Sequence, residues 1–372
     1  MRASAVAALV FANSNDELLG NLTEKRSMAS VPFGGRYRLI DFILSNLVNA
    51  KVYNVGIITK GNYRSLMDHL GSGIYWDLDR RNGGLRILPP FYTNKTRRYT
   101  GYIEALVGAI DFIKRSGSQY IVLCEPCFVA NVDIESALKS HIKNEADVTV
   151  IYAEGKAPEK LPNKLCFTFD DQNRVNQIGI PEDSEAVTNY GLGTLIFNSD
   201  KLIKLIKEAY DNEGYGVYND ILKPNVKSLK IFGYKHTGYV AAMDSESAYY
   251  EANMKLLEQS VRSDLFNTNR PIYTKTRDDM PTRYGTKASV KNSFIADGCV
   301  IEGTVKNSVL FRGVRVEKGA VIENSIVMQG GSIGENTKLN YVVADKNSAI
   351  GSDMILQGND KKAFFIKKNQ II

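Results

Sequence analysis

A chain of 372 residues with 44% hydrophobic and 24% charged side chains is too long for one core of ordinary size and too apolar to be disordered, so two folded domains are expected. Its net charge of +6 is modest, and basic pairs such as Arg80-Arg81 and Arg97-Arg98 lie scattered among acids, without the dense stripe a nucleic-acid reader needs. No run of about 18 apolar residues argues for a membrane span, and four cysteines are too few for a disulfide framework.

In chain order, Met1-Arg2-Ala3-Ser4 enters an apolar run without a small-residue cleavage site, so a cytoplasmic protein is expected. Ala5–Phe11 reads as a buried strand, followed by a polar loop and a helix over Arg38–Asn49. Val52–Thr59 reads as a strand and Tyr63–Leu70 has helical spacing. Lys95-Thr96-Arg97-Arg98-Tyr99 is left open as an anion contact. A helix at Ala105–Arg115, a strand at Tyr120–Cys124 and a helix at Ile134–Asn144 follow, then β-type runs at Val148–Tyr152 and Thr194–Phe197. This alternation implies a mostly parallel sheet covered by helices, with ligands at the carboxyl ends of its strands.

Cys124-Glu125-Pro126-Cys127 has the spacing of redox and zinc motifs. No second pair completes a metal set, and His69, His141 and His236 are dispersed, so structural thiols are the favoured reading. Asp244–Val261 is helical in pattern (Ala248, Ala252, Leu256), and residues 266–288 read as a linker. From Ser289 onward, Val321, Val327, Ile333 and Leu339 recur every six residues with glycines between them, the signature of a parallel β-helix. The expected domains are therefore 1–265, α/β, and 289–372, β-helix.

Residues 31–46, Val-Pro-Phe-Gly-Gly-Arg-Tyr-Arg-Leu-Ile-Asp-Phe-Ile-Leu-Ser-Asn, follow the first strand and run into a helix. This block resembles the sugar-nucleotide pyrophosphorylases, specifically ADP-glucose pyrophosphorylase (glucose-1-phosphate adenylyltransferase), and the β-helical tail extends the likeness over nearly the whole chain. The resemblance implies a Rossmann-like nucleotidyltransferase domain followed by a left-handed β-helix. It also implies a reaction in which glucose 1-phosphate attacks the α-phosphorus of ATP. Such chemistry needs backbone donors around the triphosphate, a divalent ion and a cation on the sugar phosphate.

This sequence departs from the family at each of those places. The family's loop glycines fall on Asn13, Ser14 and Asp16, and its arginine on Leu18. Asp16 and Glu17 would face the triphosphate, each at a cost of about 4 kcal/mol at 4 Å and an effective dielectric near 20. The first magnesium aspartate falls on Pro126 and the second on Ala242, while the sugar-phosphate lysine falls on Ile180 of Gly179-Ile180-Pro181. Asp244 is two residues late and reads as a helix N-cap. Asp41 is expected to pair with an arginine or cap its helix. Arg26, Arg36 and Arg38 remain as contacts for a residual ligand.

Activators in the family are phosphorylated metabolites held by basic residues between the domains, and the motif lysine is Met28 here. The pattern resembles the GlgD-type regulatory subunit: a chain with no metal or nucleotide cofactor of its own, pairing with a catalytic homologue in a heterotetramer that uses Mg²⁺ and ATP. Two alternatives stay open. One is an active nucleotidyltransferase with Glu125, Asp133 or Asp244 as displaced metal ligands; the other is a stand-alone metabolite-binding regulator. Acyl transfer, which hexapeptide tails also serve, is set aside because no histidine follows His236.

Overall fold

The computed structural model describes residues 5–89, 101–160, 165–180 and 186–372. The stretch Lys95–Tyr99 and Pro181 lie outside them. Strand β1 (Val6–Phe11) is buried throughout, as an unbroken apolar run requires of a central parallel strand. It is flanked in parallel by β2 (Asn54–Ile58) and, on the other side, by Tyr120–Cys124, while β3 (Gly84–Leu88) extends the block beyond β2. The Tyr120–Cys124 strand is β4.

Side chains alternate across β1. Val6, Ala8 and Val10 pack under helices α1 (Leu39–Asn49) and Ile134–Lys143, and Ala7, Leu9 and Phe11 under Tyr102–Ser116 and Ser199–Asp211. With the short helix α2 (Arg64–Leu70), the remaining three are α3, α4 and α5 in chain order.

The later strands are β5 (Phe128–Ala130), β6 (Val148–Lys156), β7 (Cys166–Phe169), β8 (Val175–Gly179), β9 (Val187–Asn198), β10 (Ile231–Lys235) and β11 (Val240–Ala242). β9 runs antiparallel to β4, β6 and β7, and β8 antiparallel to β7; the other strands of the nine-stranded sheet share one direction. The sheet is thus mostly parallel. β5 and β11 form a separate antiparallel pair just beyond β4.

The helical pattern of residues 244–261 divides into α6 (Glu246–Lys255) and α7 (Gln259–Leu265). Ser245, not Asp244, caps α6: its Oγ accepts from Ala248 N at 3.1 Å. Asp244 instead accepts from Ser245 Oγ and Lys160 N.

From Arg283 the chain coils through three five-stranded parallel sheets of a left-handed β-helix. Its first strand, Arg283–Tyr284, pairs with Val300–Ile301, inside the stretch read as linker. Later coils repeat every 17 residues, as in Val321↔Lys338 and Ser332↔Ala349, so one side of each coil holds five residues rather than six. The shortened side moves the inward position from Val321 to Ile322, which is buried beside Val327, Ile333 and Leu339. Asn292, Asn307 and Asn324 take left-handed corners (φ 45°, 46° and 45°) that asparagine tolerates, and their side chains stack as an amide ladder.

The two domains share an apolar seam. Phe33, Phe42 and Tyr249 pack with Val309, Phe311 and Ile326 of the β-helix in one cluster. The connecting segment is tied down on α1: Tyr273 N donates to Ser45 Oγ at 2.8 Å, Asn49 Nδ2 to the Pro271 carbonyl at 3.1 Å, and the Thr274 hydroxyl to Asp41.

Candidate functional site

The carboxyl ends of β1 and β2 open onto a cleft of about 380 Å³ lined by Asn13, Ser14, Glu17, Lys60 and Tyr102. Here the loop after β1 closes on itself. Asn13 Nδ2 donates to Asp16 Oδ2 at 2.7 Å and to the Gly61 carbonyl at 2.9 Å, while its Oδ1 accepts from Lys60 N at 2.8 Å. Ser14 Oγ donates back to the Phe11 carbonyl. Asp16 Oδ1 accepts from Met28 N at 2.6 Å, and burial pushes its carboxyl up to about 6.

The expectation that Asp16 faces a triphosphate is therefore corrected: its carboxylate clamps the loop to Met28, and Glu17 is the exposed acid at the cleft. Leu18 packs on apolar side chains. The polar groups that would have to release their partners to cradle phosphate already satisfy one another.

Pro126 lies between β4 and β5, and Ala242 pairs with Phe128 across the β5–β11 ribbon. Met243 N donates to the Cys127 carbonyl at 2.7 Å. The chain thus brings together Pro126 and Ala242, the two places that the resemblance assigns to magnesium ligands, and neither carries an oxygen-bearing side chain. The three displaced candidates have other partners. Asp133 caps α4 through Ser136 N at 2.9 Å and pairs with Arg270 at 3.2 Å. Asp244 is buried against Ser245 and Lys160. Glu125 meets the Cys127 thiol at 3.6 Å, and burial pushes its carboxyl up to about 7.

Among the described residues no three carboxylate, His or Cys side chains converge as a metal ion would require. The residues present do not fit a magnesium ion at the family position. Cys124 and Cys127 are buried thiols, pushed up by desolvation and by Glu125, and so are unsuited to redox exchange. Ile180 is exposed on the chain just after β8.

The three arginines left over from sequence reasoning do not border this cleft; they belong to the seam between the domains. Arg26 is buried and ion-paired with Asp345 of the β-helix at 2.9 Å. Pro32–Phe33 and Tyr37–Arg38 form a two-strand hairpin around Gly34 and Gly35, whose positive φ values (58° and 82°) suit glycine. Arg36 projects from that turn. Arg38 is held by the Ser65 carbonyl and hydroxyl, and its guanidinium is lowered to about 10 by burial. Asp41 accepts from Arg38 N at 3.0 Å and lies 2.6 Å from His69 Nε2, so its partner is a histidine rather than an arginine.

Arg36, Arg38 and His69 open onto a second cleft, of about 550 Å³, between the hairpin and the β-helix. Nine lysine and arginine side chains border it against one carboxylate, Asp68, among the described residues. They come from five separate places. Lys25 precedes the hairpin, Arg36 and Arg38 lie on it, Arg64 is on α2, and Lys275 and Arg277 are on the strap, the connecting segment between α7 and the β-helix; Arg312, Lys346 and Lys368 lie on the β-helix. Arg312 Nε and Arg26 Nη1 are buried without a hydrogen-bond partner. Met28, where the resemblance expects a lysine, is fully buried in the seam, and the cleft is rich in positive charge without it. Sequence reasoning missed the cleft because its cations lie up to hundreds of residues apart and form no run. Such a concentration of guanidinium and ammonium groups fits a phosphoryl or sulfate-like dianion.

Comparison with known proteins places the two domains in the same order. Residues 16–259 match the nucleotidyl transferase family and residues 279–372 the GlmU-like C-terminal hexapeptide family. The chain is 34% identical to the glycogen biosynthesis protein GlgD of Bacillus subtilis, over 95% of this chain and 93% of that one. The corresponding protein of Geobacillus stearothermophilus is 38% identical over 82% of this chain and 79% of its own length. A glucose-1-phosphate adenylyltransferase of Clostridium perfringens is 32% identical over 96% and 98%. The chain therefore belongs to the nucleotidyl transferase family, within the group formed by glucose-1-phosphate adenylyltransferases and their GlgD relatives.

Proposed function

We propose that this chain acts in glycogen biosynthesis as a regulatory, catalytically silent subunit that works through a catalytic glucose-1-phosphate adenylyltransferase homologue. One observation carries the reading: Pro126, in the turn between β4 and β5, and Ala242, on β11 beside β5, take the places that the resemblance assigns to the metal carboxylates, beside a loop closed by Asn13 and Asp16. Without the ion, the main electrostatic stabilisation of the transferred phosphoryl group is missing. What remains intact is the two-domain frame with its cation-rich seam. A homologue that keeps the frame can pair with a catalytic chain, in a heterotetramer, and bias that chain's conformational equilibrium through differential contacts. The cleft around Arg36, Arg277 and Lys346 is the effector site in this reading, taking a phosphorylated metabolite.

The test is turnover by the purified chain alone with ATP, glucose 1-phosphate and Mg²⁺, followed as pyrophosphate release. No release above the uncatalysed blank is expected. Saturable release would overturn the proposal and return the metal to Glu125 or Asp244.

A further inference from the structure

We infer that anion binding in the interdomain cleft is coupled to proton uptake, and that the amine of Lys346 is the group that takes the proton. This rests on the cleft being the anion site proposed above. Lys346 follows Asp345 on a β-helix turn and is half-buried at the cleft wall. Its natural counter-ion is already engaged: Asp345 Oδ1 accepts from Arg26 Nη2 at 2.9 Å and from the backbone N–H of Lys346 at 2.6 Å. Among the described residues no carboxylate forms an ion pair with the Lys346 ammonium.

Positive charge faces it from every side. Arg26 and Lys25 approach from the N-terminal segment, Arg36 and Arg38 from the hairpin, and Arg64 from α2. Lys275 and Arg277 approach from the strap, and Arg312 and Lys368 from the β-helix. The acids near it are Asp345 and, across the cleft, Asp68 of α2; Asp41 lies behind His69, to which it is bound. An ammonium without a counter-ion in this surrounding sheds its proton readily: burial first, then Arg38, Arg26 and Arg277, bring Lys346 down to about 7. A dianion entering the cleft reverses the balance of charge and restores the proton.

The neighbouring titratable groups behave differently. His69 is held below its ordinary value by burial, against the opposing pull of Asp41. Lys368 is lowered as well, by burial and then by Arg26, with less of its side chain desolvated than that of Lys346. Since the cationic form of Lys346 is the binding-competent one, apparent affinity scales with its population, which falls about tenfold between pH 6 and pH 8.

The probe is inorganic sulfate, which keeps two charges across this range, titrated calorimetrically into the full chain at constant ionic strength. Buffers of different ionisation enthalpy count the protons taken up. Affinity is expected to fall about tenfold from pH 6 to pH 8, with close to one proton taken up at pH 8 and almost none at pH 6. Lys346→Arg should bind sulfate with the same affinity at both pH values, and Lys368→Arg should keep the wild-type slope. A flat wild-type profile without proton uptake overturns the inference, as does a slope that survives in Lys346→Arg. No sulfate binding even at pH 6 would overturn the anion-site reading itself. The wild-type proton count decides the matter if a variant does not fold.

Discussion

At the scale of single residues, the chain uses its buried charges to hold structure. Asp41 is wholly buried and joins three segments: Arg38 N at the start of α1, His69 on α2 and Thr274 on the strap. Asp41→Ala leaves His69 and a helix-start N–H without their partner. A loss of about 1–3 kcal/mol is expected in urea unfolding, and a loss below 1 kcal/mol would show that water replaces the carboxylate. Glu125 offers a test with a sign. Burial lifts its carboxyl from 4.5 to about 7, so between these values the folded chain holds a proton that the unfolded chain has released. Stability therefore falls as pH rises through that window. Glu125→Gln should gain on the parent from pH 5 to pH 7, by up to about 3 kcal/mol; an equal difference at both pH values would mean that Glu125 is solvated.

At the scale of elements, local signals held where one face of a segment is plainly apolar. β4 occupies Tyr120–Cys124 as its unbroken apolar run indicates, and α1 follows the spacing of Leu39, Ile43 and Leu47. Other elements were legible only after the fact. Leu202, Leu205, Ile206 and Ala209 line the buried face of α5 at helical spacing, a signal present in the sequence but not extracted from it. β3 carries no such mark, because Arg86 interrupts its apolar run on a sheet edge. The choice between Asp244 and Ser245 as cap shows the limit of spacing arguments: both residue types cap helices, and only the backbone turn decides. Ser245→Ala should cost about 1 kcal/mol in thermal or urea unfolding, whereas Asp244→Ala should leave the N-terminus of α6 capped. The reverse order of effects would contradict the assignment.

At the scale of the whole molecule, residues 31–46 matter because they stand at the joint. Phe33 and Phe42 enter the core shared by both domains, Gly35 packs close to Ala296 and the Leu310 carbonyl of the β-helix, and Arg36 and Arg38 face the cationic cleft. The departures from the family at Leu18, Pro126, Ile180 and Ala242 were readable from the resemblance, because those positions fall in short motifs. The sequence did not show the cleft, which exists only once coils of the β-helix meet the N-terminal hairpin. An apolar seam of this kind transmits a change at one domain to the other as a shift of packed units rather than a local adjustment. On the proposed function, this seam is the route by which an effector bound in the cleft reaches a catalytic partner. The most direct measurement is ADP-glucose formation by a fixed amount of catalytic homologue as this chain is titrated in. A saturable change in the homologue's rate or substrate affinity, with none from the chain alone, is the expected result. An unchanged rate across the titration, with no complex formed, would contradict the account.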